Sequence, residues 1–259
     1  MGTALRRRLE PTAIMPQRTH YNAPTEITAV TLKELLASTG RSKLEERQFD
    51  MLRQSGGAGG KDDVPIFYAG DISLLNHRCV SIVGTRDVSQ AGWTRAQRLS
   101  KELVAAGVVV VSGLAKGVDT AAMTSAIESG GHVIGVIGTS LAKAYPAENA
   151  SLQETVWQRH LLLSPFAEDA RIFKSNFPKR NRVMAALSDA TVIVEASDTS
   201  GTLHQAAECQ RLGRWLFIMK SVADDPKLKW PASFLGQPKT AVLENTGDIL
   251  KALKDERAS

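Results

Sequence analysis

The sequence predicts an α/β fold: a doubly wound, mostly parallel sheet with helices on both faces, preceded by a short N-terminal helical extension. Two observations carry this. From residue 64 onward, short and nearly continuous apolar runs alternate with stretches of helical spacing. Strands that are apolar on both sides must be covered on both faces, the condition of a parallel sheet between helical layers. The apolar runs also end repeatedly in glycine, serine, threonine or a cation, residue types that build loops along one sheet edge.

The expected strands are CVSIVG (79–84), GVVVVSG (107–113), HVIGVIG (132–138), HLLLSP (160–165), ATVIVEA (190–196) and RWLFIM (214–219). Each is a short apolar run rich in valine, isoleucine or leucine, bounded by turn residues. Helices are expected at about 90–106, 117–129, 147–158, 179–188 and 201–212, and AVLENTGDILKAL adds an edge strand and a closing helix. Upstream, residues 1 to about 24 hold three prolines and no clear period, and read as a poorly ordered arm. Residues 29–54 have the spacing of one or two short helices, around TLKELLAS and KLEERQFDMLRQ, and SGGAGGKDD reads as a flexible linker. The expected division is therefore an arm with short helices and a glycine-rich linker over 1–62, then a domain of Rossmann type over 63–255.

At 259 residues, with 43% hydrophobic and 23% charged residues, the composition is that of a soluble globular protein. The formal charge of +5 mildly favours an anionic partner. Cys79 and Cys209 fall in predicted strand and helix interiors and read as reduced core residues of a cytoplasmic protein. No apolar run reaches 18 residues, and Arg6-Arg7-Arg8 leads into a polar stretch, so neither a membrane span nor a signal peptide is expected. The histidines (His20, His77, His132, His160, His204) lack ligand spacing, and no metal site is expected.

In doubly wound sheets, ligands sit outside the carboxyl ends of the strands, where loops meet helix N-termini. Gly84-Thr85-Arg86 places a flexible residue, a hydroxyl and a guanidinium there. Ser112-Gly113-Leu114-Ala115-Lys116-Gly117 follows the second strand; its glycines let backbone amides approach a phosphate that Lys116 neutralises. Its GxxxG spacing is neither the dinucleotide GxGxxG nor the phosphate-loop GxxxxGK[ST], so no nucleotide cofactor is supported. The third strand ends at Gly138-Thr139-Ser140. Lys174, Lys179, Arg180 and Arg182 cluster around a predicted helix start, where amides and guanidinium groups attract anions. Ser200-Gly201-Thr202 opens the next helix after Glu195. These turns converge on one sheet edge and point to a polyanion site without a nucleophile. The plainer alternative for the basic run alone is a solvated helix start.

The runs VSIVGTR, VVVSGLAKGVD, GVIGTSLAKAYPAEN, FPKRNRVMAALS and VIVEASDTSGTL, in this order, resemble the motifs of the DNA-processing protein A family (DprA, also called Smf). The resemblance covers roughly residues 64–220, and PIFYAGDISLLN looks like the lead-in to that family's first strand. It implies an extended Rossmann domain that binds single-stranded DNA in a basic pocket, dimerises, and loads a RecA-type recombinase during natural transformation. It implies no catalytic residue and no cofactor. Carried over by position, Arg86 looks like a phosphate clamp, and Ser112, Gly113 and Gly117 like an amide-lined turn. Lys179, Arg180, Asn181 and Arg182 occupy the FPxRNR motif, with Arg182 either structural or ligand-facing. Ser200, Gly201 and Thr202 look like a second amide cradle; Gly84, Thr85, Lys116 and Lys174 complete the expected site. Phe177 and Tyr145 read as packing residues rather than base platforms. The sequence departs from the family pattern at Met123, where histidine is usual, and at HQAAE after the last cradle. No winged-helix module is read before residue 259, so a minimal or divergent member is expected.

Two other readings stay open. RNRVMAALSDATVIVEASDTSGTLHQ also resembles the lysine-decarboxylase-like phosphoribohydrolases, which cleave nucleoside monophosphates with an arginine and the glutamate of PGGxGTxxE. Here that glutamate slot holds Gln205, and an amide is no general acid or base at neutral pH. The third reading is a sensor of a nucleotide-derived signal in the same cleft. Asp119, in the first turn of its helix, is expected to serve as a cap rather than a catalytic acid.

Overall fold

The computed structural model describes residues 21–39 and 64–258. The predicted helix around KLEERQFDMLRQ, the glycine-rich linker and residues 1–20 lie outside the described residues. The strands are β1 (Thr28–Thr31), β2 (Pro65–Gly70), β3 (Cys79–Val83), β4 (Val109–Ser112), β5 (Val133–Val136), β6 (Leu161–Ser164), β7 (Ala190–Ile193), β8 (Trp215–Met219) and β9 (Thr240–Leu243). The helices are α1 (Leu32–Ser38), α2 (Gln90–Ala105), α3 (Val118–Glu128), α4 (Ala150–Arg159), α5 (Asn176–Leu187), α6 (Thr202–Arg211), α7 (Lys220–Ala223), α8 (Trp230–Phe234) and α9 (Thr246–Ala258).

All nine strands form one sheet in the order β1-β2-β6-β5-β4-β3-β7-β8-β9. The seven from β6 to β9 run parallel, while β1 and β2 add antiparallel pairs at one edge. Alternation along each parallel strand separates two cores. Val109 and Val111 of β4 face the layer that holds Val183, Leu187 and Cys209 of α5 and α6. Val110 faces the layer of Leu99, Ala122 and Val156 from α2, α3 and α4, joined by Ile249 of α9. Full burial of each such side chain contributes about 1.5–3 kcal/mol, so the core and not local propensity sets this topology.

The structure differs from the sequence reading at the edges of elements. Residues 29–31, read as helical spacing, belong to β1, which pairs with β2; Thr31 then caps α1 in a reciprocal capping box with Glu34. The expected helix over 147–158 is a 3₁₀ turn at Ala147–Asn149 followed by α4. Helix α5 begins at Asn176, ahead of the expected 179, because Pro178 in a first turn needs no amide partner. Tyr21 and Asn22, read as part of an unpatterned arm, dock on the domain: the Tyr21 hydroxyl donates to the Leu141 carbonyl at 2.8 Å and the Trp157 indole to the Asn22 carbonyl at 3.1 Å. Both cysteines are buried thiols, Cys79 donating to the His77 carbonyl and Cys209 to that of Trp215. Among the described residues, no helix is long and apolar enough to cross a membrane.

Candidate functional site

The sheet grows outward from β3 through β4 and β5 to β6, then the chain returns to place β7 on the other side of β3. At such a switch point the adjoining loops leave in opposite directions and open a crevice at the carboxyl ends. A cleft of about 460 Å³ lies there. Gly84, Thr85 and Arg86 form the wall after β3; Lys174, Arg180 and Asn181 come from α5 and its lead-in; Ser200, Gly201 and Thr202 come from the start of α6. A smaller hollow adjoins it, lined by Gly113, Lys116, Tyr145 and Pro146, and shares with it Arg86, Ala115, Phe177 and Arg180. Ser112, Gly117, Lys179 and Arg182, expected in the site, line neither.

The reasons are local. The Ser112 hydroxyl is buried and donates to the Ile82 carbonyl at 2.8 Å, joining β4 to β3. Gly117 caps α3 with φ +75°, and a Cβ there would stand 2.4 Å from the Thr85 carbonyl oxygen. Only glycine lets the α3 start press so closely on the Thr85–Arg86 backbone. Arg182 points away and pairs with Glu208 of α6 at 3.0 Å; Glu208 also takes Arg211. Lys116 reaches the hollow but is paired with Glu148 at 2.5 Å.

Arg180 is where charge alone misleads. Its guanidinium is 6% exposed and Nη1 donates to the carbonyls of Gly113 and Val136, each at 2.6 Å, while Nε donates to Asn181 Oδ1. Asp119, equally buried, accepts from the amides of Gly113 at 3.0 Å and Ala115 at 3.3 Å. Burial raises the Asp119 pKa and lowers that of Arg180, and their mutual attraction opposes both shifts. The pair thus holds the Gly113–Ala115 turn in place. Asp119 does more than the expected cap: it shapes the loop beyond β4.

Arg86 is arranged differently. It is exposed, and its guanidinium carbon sits 5.4 Å from the centroid of the Phe177 ring. Phe177 in turn contacts Tyr145 at 5.5 Å between centroids. The aromatic face orients the cation without neutralising it, leaving its donors toward the cleft.

Three supports of the site lie inside the motifs quoted above but were given no structural role there. The Asn149 amide donates to the Leu114 and Ala115 carbonyls, bracing the turn from the segment after Tyr145. The Glu195 carboxylate accepts from the Ser89 amide and hydroxyl at the start of α2 and from Arg95, while its own carbonyl accepts from the Thr85 amide at 2.7 Å. Asp198 accepts from the amides of Lys229 and Trp230, anchoring the turn before Ser200. Each joins segments far apart in sequence, so the motifs marked the residues but not the partners they hold. Among the described residues, no group of histidine, cysteine, aspartate and glutamate is placed to hold a metal ion.

A sequence profile described as DNA recombination-mediator protein A matches residues 58–254. The DNA processing protein DprA of Bacillus subtilis is 34% identical over 191 residues, which are 73% of this chain and 64% of that protein. The chain therefore spans less than two thirds of that relative's length. The X-ray structure of DNA processing protein A from Streptococcus pneumoniae superposes with a TM-score of 0.66 at 34% identity, covering 72% of this chain and 65% of that one. DNA processing protein A from Helicobacter pylori, whose structure describes a unique single-stranded DNA binding mode, superposes with a TM-score of 0.69 at 25% identity, over 92% of this chain and 98% of that one.

Proposed function

The chain belongs to the DNA recombination-mediator protein A family, and on that premise we propose that its switch-point cleft binds the phosphate backbone of single-stranded DNA without chemical change to it. The observation that carries this reading is the contrast between two arginines in one cleft. Arg180 is buried and holds the turn, whereas Arg86 is exposed, steadied by Phe177, and open to an anion. A backbone phosphate needs donors and positive charge rather than an acid or base. Lys174, the Ser200-Gly201-Thr202 start of α6 and Arg86 supply them around one cleft. The groups that resemble a hydrolytic set are engaged in structure: Glu195 holds the α2 start, Asp119 holds the β4 turn, and Gln205, fully buried, donates to the Thr191 hydroxyl at 3.3 Å. The single-stranded DNA binding of the H. pylori relative supports the same reading. Family membership is also the support for two further parts of the proposal, a homodimeric assembly and delivery of the bound strand to a RecA-type recombinase.

The test is a titration of labelled single strand against duplex of equal length, with nucleoside monophosphates incubated alongside. Preference for the single strand with no release of free base supports the reading. Equal affinity for duplex, or base release proportional to protein, overturns it.

A further inference from the structure

Phe177 sits between the cleft and the smaller hollow, its ring against Gly138 and touched by both Arg86 and Tyr145. It is half-buried there and lines both. Tyr145 differs: it is 42% exposed, and with Pro146, Gly113 and Lys116 it borders the hollow. Among the described residues, the exposed large apolar side chains are Ile27, Tyr145, Ile172 and Phe173, and the last three flank the cleft or the segment leading into α5. A tyrosine held on one side by another ring and open on the other is an amphipathic surface of low entropy, suited to contact with a flat partner.

We infer that Tyr145 is a stacking platform for one nucleobase, which lies against its exposed face at the mouth of the smaller hollow while a neighbouring phosphate meets Arg86. The inference rests on the single-strand reading above. The two hollows share the wall of Arg86 and Phe177, so a strand that crosses this wall presents a phosphate to the cation and the next base to Tyr145. Every base has a π face, so such a platform adds affinity with little sequence preference. Packing alone accounts for the Tyr145–Phe177 contact but leaves the exposed remainder of the ring without a role.

The experiment compares the full chain with Tyr145→Ala and Tyr145→Phe on oligothymidine and on an abasic strand of equal length, with thermal melts of each variant. Tyr145→Ala is expected to bind oligothymidine about tenfold more weakly. Tyr145→Phe keeps the affinity, and all three proteins bind the abasic strand alike with unchanged melting temperature. Undiminished binding of oligothymidine by Tyr145→Ala overturns the inference alone. So does an equal loss on the abasic strand, which marks Tyr145 as a prop for Arg86 and Phe177. Failure of the unaltered protein to bind oligothymidine removes the single-strand reading, and the inference with it.

Discussion

Asp119 and Arg180 hold the same residue from two sides: the Asp119 carboxylate accepts the Gly113 N–H, and the Arg180 guanidinium donates to the Gly113 carbonyl. The loop after β4 is therefore set by two buried side chains of opposite charge, and a charge that looks available for DNA is used inside the protein.

Removing one partner of a buried pair leaves the other charge uncompensated, at a cost of about 3–5 kcal/mol. Arg180→Ala is expected to lower the melting temperature by about 10 °C, and Asp119→Ala to act likewise. Calorimetry checks this. A variant lacking Arg180 that melts normally yet no longer binds DNA would assign Arg180 to the ligand instead.

Two glycines of the site should respond oppositely to alanine. A Cβ at Gly113 would stand 1.8 Å from Arg180 Nη1, and that guanidinium is pinned by the Val136 carbonyl and cannot swing aside. Gly201 has nothing within 4 Å of the corresponding position. Gly113→Ala should lose several degrees of melting temperature, whereas Gly201→Ala should melt like the unaltered protein.

Arg86 and Arg182 separate binding from architecture. Exposed Arg86, replaced by alanine, should cost about 1.5–3 kcal/mol of DNA affinity, roughly ten- to hundredfold, with an unchanged melt. Its loss should also reduce the salt dependence of binding by about one phosphate contact. Arg182→Ala breaks the pair with Glu208 between α5 and α6, and should lower stability slightly while leaving the salt dependence intact. Anisotropy titrations at several salt concentrations distinguish the two.

His160 predicts a pH dependence. It is buried beside His132, and neither ring nitrogen has a hydrogen-bond partner among the described residues. Burial, with the nearby His132 and Arg159 charges, holds its pKa below the ordinary value of 6.5. The unfolded chain then binds the proton more readily than the folded one, so stability is full above pH 6.5 and declines as pH falls through the lower folded value. The melting temperature of the unaltered protein should drop more between pH 7 and 5 than that of His160→Phe. Parallel curves would contradict this.

The parallel strands were legible because burial on both faces demands continuous apolar runs, as in VVVV of 108–111 and LLL of 161–163. The antiparallel edge was not: β1 is four residues of mixed polarity, and β2, though six residues long and largely apolar, begins with a proline and was read only as a lead-in. In the site, the small-residue loops were readable, because close backbone approach needs glycine wherever it occurs. The split between Arg86 and Arg180 was not read, although a signal was present. Arg180 shares a helix face with Val183, Met184 and Leu187 at i+3, i+4 and i+7, a spacing that buries it with the core. Glu195, Asn149 and Asp198 act across distant segments, which local pattern does not record.

The most direct test of the central claim locates the strand on the protein. A photoreactive single-stranded oligonucleotide is crosslinked to the full chain, and the modified peptides are mapped by mass spectrometry. The account predicts adducts within residues 84–86, 113–116, 145–146, 173–181 and 197–205, lost when unlabelled single strand competes. Adducts concentrated on α9, on the β1–β2 edge or at the opposite end of the sheet would contradict it.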